Sequence, residues 1–432
     1  MKTNKKPNDL TIQEVDYFRS IESAFLKRCR QFGYNEIKTG TIQSLHIYTA
    51  LGTLSPSRLR RMYSFIDWDG WSGERVVLKP DSSPSVVRFY AENLFEKQDH
   101  QKLCYVENHF EWSDTGENIS ERWQCGVENI GDPSVTSDIE IIFMGQDILE
   151  DMGFSNRHIF LAYPSIIRHI VQALVFSKDQ QQVILDEIKK QRFDQVKSML
   201  SGVDKASLLI RLLETKGNTA SYLKNIFESL KGPEFEGIYD DMKRFVSICD
   251  YLDRMECPYT IDFSLIGNLD YYTGMQFQIF SKSTRKSNAD ILCAGGRYDQ
   301  LALEMFKLLN KSADQTLSTL IPSVGFALYA KNIIRHMLLN TQGKKDDPPH
   351  IAIYLSQLAP SSMKSGQRLS DRLTDMGFSS TLTLKPIEQD DYAHYGAVIE
   401  VDHERFQGGY QFLYERSINK YILNYILGDI NG

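Results

Sequence analysis

Ile261-Asp-Phe-Ser-Leu-Ile-Gly-Asn-Leu-Asp-Tyr-Tyr-Thr-Gly-Met-Gln-Phe277, followed by Ala294-Gly-Gly-Arg-Tyr-Asp299, is the passage on which the fold turns. Apolar and β-branched residues predict strands at 259–263, 272–280 and 289–293. Tyr271 and Tyr272 are adjacent, so on a strand they point to opposite faces and only one lines a given pocket directly. Tyrosine suits a pocket, having an apolar ring and a hydroxyl tip. Gly274, Gly295 and Gly296 permit close approach of backbone. The plainer alternative is a core tyrosine beside turn glycines.

Upstream, 11–32 reads as an amphipathic helix through Val15, Phe18, Ile21, Phe25 and Leu26, stopped at Gly33. Tyr34–Thr39 alternates as a strand, and 41–61 reads as helix and loop. Met62–Asp67 and Glu74–Lys79 predict a hairpin around Trp68-Asp-Gly-Trp-Ser-Gly73. Pro80 to Pro84 breaks the strand and a helix resumes over Ser85–Leu94. Strands at Leu103–Glu107 and Arg122–Ile130 flank a polar loop at Asp114–Asn118; a helix covers Ser137–Met152 and a strand Ile159–Tyr163. Residues 165–256 are helical in pattern, and a helix beginning near Val324 closes the main body. The domain reading is a core over 1–340 with a helical insertion at 165–256, a charged, proline-ended linker at 341–349, and a small α/β domain over 350–432.

Two further clusters carry chemistry. In Leu78-Lys-Pro-Asp-Ser-Ser-Pro84, a carboxylate (Asp81) and hydroxyls including Ser83 in a tight turn can hold an ammonium group. The alternative is a capped helix, with Ser82 or Ser83 at the cap and Pro84 at its first position. In Gln124-Cys-Gly-Val-Glu128, Gln124 and Glu128 share one strand face with Gly126 between them. Such polar groups need solvent or a ligand, and a solvent-facing strand is the plainer alternative.

Together these stretches resemble the catalytic core of class II aminoacyl-tRNA synthetases of the histidyl type, over roughly 10–335. Lys79-Pro-Asp-Ser-Ser-Pro84 resembles the family's Arg-Pro-Glu/Asp-x-Thr turn. Gln124–Gly131 resembles Gln-x-Gly-x-Glu-x-x-Gly, Ser137-Asp-Ile-Glu140 resembles Ala-Asp-x-Glu, and Leu269–Phe277 with Gly295–Leu301 matches the histidine-specific floor. The resemblance implies an α+β fold: an antiparallel sheet core with a helical insertion, plus a C-terminal α/β domain of the anticodon-binding type. It implies an L-histidine site at Asp81, Ser83, Gln124, Glu128, Tyr271 and Tyr272.

The departures lie on the ATP side. Stabilising a transferring phosphoryl group calls for arginine, whose fork is permanently charged and bidentate. Glu111 stands where the second class II motif has arginine, Asn332 where the third motif ends in arginine, and Gly267 where the histidyl family keeps one. Thr39-Gly40 replaces the Thr-Pro of the dimer-forming first motif. Losing one oxyanion donor costs about 3 kcal/mol of transition-state stabilisation. This combination resembles the regulatory subunits of ATP phosphoribosyltransferase, which bind histidine without activating it. That resemblance implies a non-catalytic chain with no cofactor and no catalytic residues, mediating feedback inhibition in histidine biosynthesis. Its partner would be the short catalytic subunit, in a hetero-octamer built on dimers of this chain. The alternatives are a divergent synthetase or amino-acid ligase using ATP, and a class II-like module serving another partner.

Bulk properties fit. Lys and Arg number 49 against 56 Asp and Glu, a formal charge of −7, which gives no electrostatic reason to expect nucleic acid. The six cysteines have no zinc spacing, and a cytoplasmic protein with reduced thiols and no metal is expected. No run reaches the roughly 18 apolar residues of a membrane span, and the polar start Met1–Pro7 does not read as a signal peptide.

Overall fold

The computed structural model describes residues 9–49, 59–68, 73–95, 100–112, 119–175, 177–230, 232–265, 272–281, 291–309, 320–341, 350–375, 377–402 and 410–415. Gly267, Tyr271 and the loop at Asp114–Asn118 lie outside the described residues, as does the linker expected over 341–349 except for Thr341, which ends a helix. The chain divides into two compact units, Met1–Leu338 and Leu339–Gly432.

In the first unit the strands are β1 (Asn35–Glu36), β2 (Ile42–Ser44), β3 (Ser64–Trp68), β4 (Gly73–Leu78), β5 (Gln101–Trp112), β6 (Ile119–Ile130), β7 (His158–Ala162), β8 (Tyr259–Ile261), β9 (Gln276–Phe280), β10 (Ile291–Arg297) and β11 (Ser323–Tyr329). Eight of them form one sheet in the order β1-β5-β6-β11-β10-β9-β7-β8. Every pairing from β5 to β7 is antiparallel, and only the edge strands β1 and β8 run parallel to their neighbours. The fold is therefore α+β with an antiparallel core, as expected.

Period-two alternation gives this sheet two unlike faces. One face carries Cys104, Val106, Cys125, Val127, Phe326 and Leu328 into the main core. Helices Ile12–Gln31 and Val135–Asp151 cover it, burying Phe18, Ile21 and Phe25 from the first and Ile141, Ile142 and Ile148 from the second. The first helix begins with a reciprocal cap between Thr11 and Glu14 and ends before Gly33, whose φ of +78° suits glycine. Helices from Pro164–Leu174 through Tyr239–Arg254 fill the segment expected to be helical. The opposite face of the sheet carries a smaller core, with Val86 and Tyr90 of helix Ser83–Asn93 against Leu301 and Met305 of helix Asp299–Leu309. The small sheet β2-β4-β3 contributes Val77 to it.

Several expectations are corrected. The predicted helix near Val324 is the central strand β11, and the helix starts only at Ala330. A short apolar run buried on both sides, here between β6 and β10, has no periodicity to separate helix from strand. The region 41–61 contains strand β2, which pairs with β4. The strand predicted over 272–280 begins at Gln276, leaving Tyr272 on irregular backbone, so the opposite-face argument for Tyr271 and Tyr272 does not apply. The strand predicted over Tyr34–Thr39 is only the two residues of β1.

In the second unit, strands Ile351–Leu355, Ser380–Thr383, Ala397–Val401 and Tyr410–Glu415 form a four-stranded mixed sheet. The first pairs parallel with the second and third, so helix Pro360–Asp375 is a βαβ crossover, and its Leu369 and Leu373 meet Ile351, Ile353 and Ile399. Among the described residues no helix is long and apolar enough to cross a membrane.

Candidate functional site

The pocket lies over the centre of the eight-stranded sheet, because the middle strands place small residues on one face. Gly126 of β6 pairs with Ala327 of β11, which pairs with Ala294 of β10, and Gly325 pairs with Gly296. Removing side chains from this row leaves a depression whose rim comes from the flanking strands and loops. Gly126 also faces Tyr105 of β5, and a Cβ there would overlap the tyrosine ring.

Five of the six predicted ligand residues meet at this depression: Asp81, Ser83, Gln124, Glu128 and Tyr272 all line one cavity. Tyr271, the sixth, is outside the described residues. Tyr105, Tyr298 and Tyr329 complete the wall, and Phe326, whose ring packs into the core on the other face of the sheet, borders it. Sequence reasoning passed over these four. Tyr105 was detectable as the cross-strand neighbour of the glycine between Gln124 and Glu128, and Tyr298 sits inside the quoted Gly-Gly-Arg-Tyr-Asp motif, whereas Phe326 and Tyr329 were hidden by the helix reading of β11. The cavity volume is about 20 Å³, room for about one water molecule.

Asp81 and Ser83 reach the pocket from the turn between β4 and helix Ser83–Asn93. The serines there do not cap the helix: Ser82 occupies the cap position without a side-chain capping bond. Instead the Ser82 hydroxyl donates to Glu107, and the Ser83 hydroxyl donates to Glu128 Oε1 at 2.6 Å. The Tyr48 hydroxyl, donating to the Asp81 carbonyl at 3.1 Å, fixes the turn from behind. Below it lies a buried pair, Lys79 Nζ to Glu107 Oε2 at 2.6 Å. Thr39 adds its amide to Glu107 Oε1 at 2.5 Å. Burial pushes the Glu107 carboxyl upward, but the Lys79 ammonium and these donors hold it below its ordinary value.

Glu128 is the electrostatic centre of the pocket. It is 1 % exposed, which excludes the solvent-facing alternative for its strand. Burial raises its pKa to about 8, against the pull of the hydroxyls of Ser83 and Tyr298 and with a further push from nearby Asp81. Tyr298 donates to Glu128 Oε2, and Tyr105 approaches Oε1 at 3.5 Å. Among the described residues that line it, two are acidic and none is basic. A cavity with Asp81, the carboxyl of Glu128 and several aromatic rings is complementary to a cationic ligand with a flat ring, and unfavourable to a phosphate.

Of the positions that depart from the synthetase pattern, Glu111 and Asn332 do not line the cavity. Glu111 is buried near the far end of β5, with Arg122 Nη1 3.8 Å away. The side-chain amide of Asn332 donates to the Ile291 carbonyl at 2.7 Å, tying helix Ala330–Thr341 to β10. Gly267 is outside the described residues. Asp138, from the Ser137-Asp-Ile-Glu140 motif, is wholly buried and does not line the cavity. Its carboxylate accepts from Arg297 Nε at 2.8 Å and from Arg244 Nε at 2.7 Å.

A family model for histidyl-tRNA synthetase matches residues 7–333. A protein of Dehalococcoides mccartyi described as an ATP phosphoribosyltransferase regulatory subunit is 31% identical over 402 residues, covering 92% of this chain and 90% of that relative. A histidine–tRNA ligase of Sulfurisphaera tokodaii is 26% identical over 383 residues, covering 87% of this chain and 83% of the ligase. Among solved structures, one from Bacillus halodurans described as an ATP phosphoribosyltransferase regulatory subunit/histidyl-tRNA synthetase superposes with a TM-score of 0.73 at 16% identity, covering 92% of this chain and 97% of the other.

Proposed function

Since the chain belongs to the ATP phosphoribosyltransferase regulatory subunit family, on the histidyl-tRNA synthetase framework, we propose that it is a non-catalytic, histidine-sensing partner of a short ATP phosphoribosyltransferase catalytic subunit. The observation that carries this reading is the acidic lining of the pocket: among the described residues Asp81 and Glu128 line it and no basic residue does. An amino acid brings the missing cation as its ammonium group, which Asp81, Ser83 and Gln124 are placed to receive. An imidazole ring then lies against the small-residue floor, with Glu128 and Tyr272 about it. ATP finds no counter-charge in such a lining. Glu111, Gly267 and Asn332, in place of arginines, support loss of the activation reaction. In this reading histidine shifts the chain between two states that a catalytic partner feels differently, which is feedback inhibition. A hetero-octamer on dimers of this chain, a cytoplasmic location, and an anticodon-binding-like domain over 350–432 serving contacts between proteins go with the same role.

Calorimetry of the purified chain with L-histidine tests the pocket, and Asp81→Ala is expected to weaken binding by removing the ammonium's counter-charge. No heat of binding, alone or with the catalytic subunit, refutes it. The second reading, a histidine-activating enzyme, is favoured by the similarity to a histidine–tRNA ligase. Histidine-dependent exchange of pyrophosphate into ATP separates the two: a robust signal establishes the enzyme, and silence with co-purification of a short ATP phosphoribosyltransferase subunit establishes the sensor.

A further inference from the structure

Tyr272 stands on irregular backbone immediately before Thr273–Met275, so its position depends on what satisfies that backbone. Its carbonyl accepts from Arg168 Nη2 at 2.5 Å, and Arg168 belongs to helix Pro164–Leu174, the first helix of the helical segment. The amide of Thr273 donates to the Arg297 carbonyl at 2.8 Å. The Arg297 guanidinium is in turn held by Asp138, whose other carboxylate oxygen is held by Arg244 of helix Tyr239–Arg254. A third tether reaches the backbone that leaves β8. Lys216 Nζ is 3.0 Å from Oδ2 of the buried Asp262, and Gly217 exchanges two backbone hydrogen bonds with Ile261 at 3.2 and 2.6 Å. The helical segment thus grips the signature stretch at two places, 261–262 and 272.

We propose that Arg168 and Lys216 are positioning residues that couple the helical segment 164–256 to the ligand pocket, so that a ligand entering the pocket displaces those helices. The physical reason is volume. Among the described residues the cavity of about 20 Å³ has room for about one water molecule, so seating an amino acid in it calls for an outward shift of its lining. Tyr272 is a wall with no strand ladder of its own, and its carbonyl is bonded to the helical segment. Shifting the backbone at Tyr272 therefore either drags Arg168 with it or breaks a charge-assisted hydrogen bond. Packed helices answer by shifting between discrete arrangements, which turns a small displacement at the pocket into a rearranged outer surface. This coupling rests on the histidine pocket proposed above; the tether itself does not.

The test uses hydrogen–deuterium exchange and calorimetry on the full-length chain, with and without L-histidine, for the unaltered protein, Arg168→Leu, Arg168→Lys and Lys216→Met. Without ligand, Arg168→Leu is expected to speed exchange at Thr273–Met275 about tenfold, the size of one lost charge-assisted bond, and to weaken histidine binding to a similar degree. Arg168→Lys restores most of both. Adding histidine to the unaltered chain alters exchange in helix Pro164–Leu174 and around Lys216; combining Arg168→Leu with Lys216→Met abolishes that response while the Asp81–Ser83 turn still responds. Unchanged exchange at Thr273–Met275 in Arg168→Leu, or a helix response that survives the double variant, overturns the proposal. Should Arg168→Leu fail to fold, Lys216→Met carries the same readouts at Ile261–Ser264, since Lys216 is half exposed. If the unaltered chain shows no histidine binding, the pocket reading falls, and ligand-free exchange alone decides the tether.

Discussion

Replacing Glu128 with glutamine isolates the cost of the charge this pocket holds in reserve. The carboxyl is 1 % exposed, and its pKa rises from 4.5 to about 8, first because burial disfavours the anion and further because Asp81 is close. The unfolded chain gives up this proton near 4.5 and the folded chain keeps it to about 8, so between those values the folded state binds more protons. Its contribution to stability is full below the lower value and is lost as pH rises, at about 1.4 kcal/mol per pH unit. From about pH 5 to about pH 7.5 this one group removes roughly 3 kcal/mol. Glutamine at 128 fits the same space. Its oxygen accepts from one of the Ser83 and Tyr298 hydroxyls, while the other turns to accept from the amide. Urea denaturation of both proteins across that range reads the effect as a difference of differences, which cancels titrations common to the two. Glu128→Gln is expected to gain about 3 kcal/mol on the unaltered chain between the two ends. Parallel profiles refute the reasoning, because they mean Glu128 ionises at its ordinary value.

Histidine binding at about pH 7 is expected to release close to one proton, as the arriving cation returns Glu128 to its ionised form; calorimetry in buffers of different ionisation enthalpy measures it, and a buffer-independent heat contradicts it. Lys79→Met leaves Glu107 buried without its ammonium and is expected to cost about 3–5 kcal/mol, with much of the loss recovered by adding Glu107→Gln; thermal or urea denaturation of the single and double variants decides. Gly126→Ala places a methyl group into the Tyr105 ring, and about 1–3 kcal/mol of lost stability is expected with impaired histidine binding; a variant of ordinary stability and affinity shows that the ring yields freely.

Legibility from the sequence followed the range of the interaction. Gln124, Gly126 and Glu128 could be placed on one strand face because alternation is a local property of extended backbone. The same locality misled at Ser82 and Ser83. Serine before Pro84 reads as a helix cap, yet their hydroxyls serve Glu107 and Glu128, carboxylates on strands far along the chain. β11 was misread because burial on both faces erases the pattern that distinguishes strand from helix. Lys79 looked like part of a ligand turn and is instead an internal ion pair. Asp138 was legible as a motif position, but not as the carboxylate that joins Arg297 to Arg244.

What the chain determines on its own is the set of elements and their ordered motifs: the capped helix at Ile12–Gln31, the Gln-x-Gly-x-Glu strand, the Gly-Gly-Arg-Tyr-Asp segment and the helical stretch after Pro164. Those follow from side-chain periodicity and backbone preference, which act within a few residues. Tertiary structure alone decided that Gly126, Ala327 and Ala294 meet as a pocket floor, since cross-strand register brings together residues remote in sequence. It also decided that Glu128 holds its proton to about 8, because desolvation is set by the packing around a carboxyl and not by its neighbours along the chain.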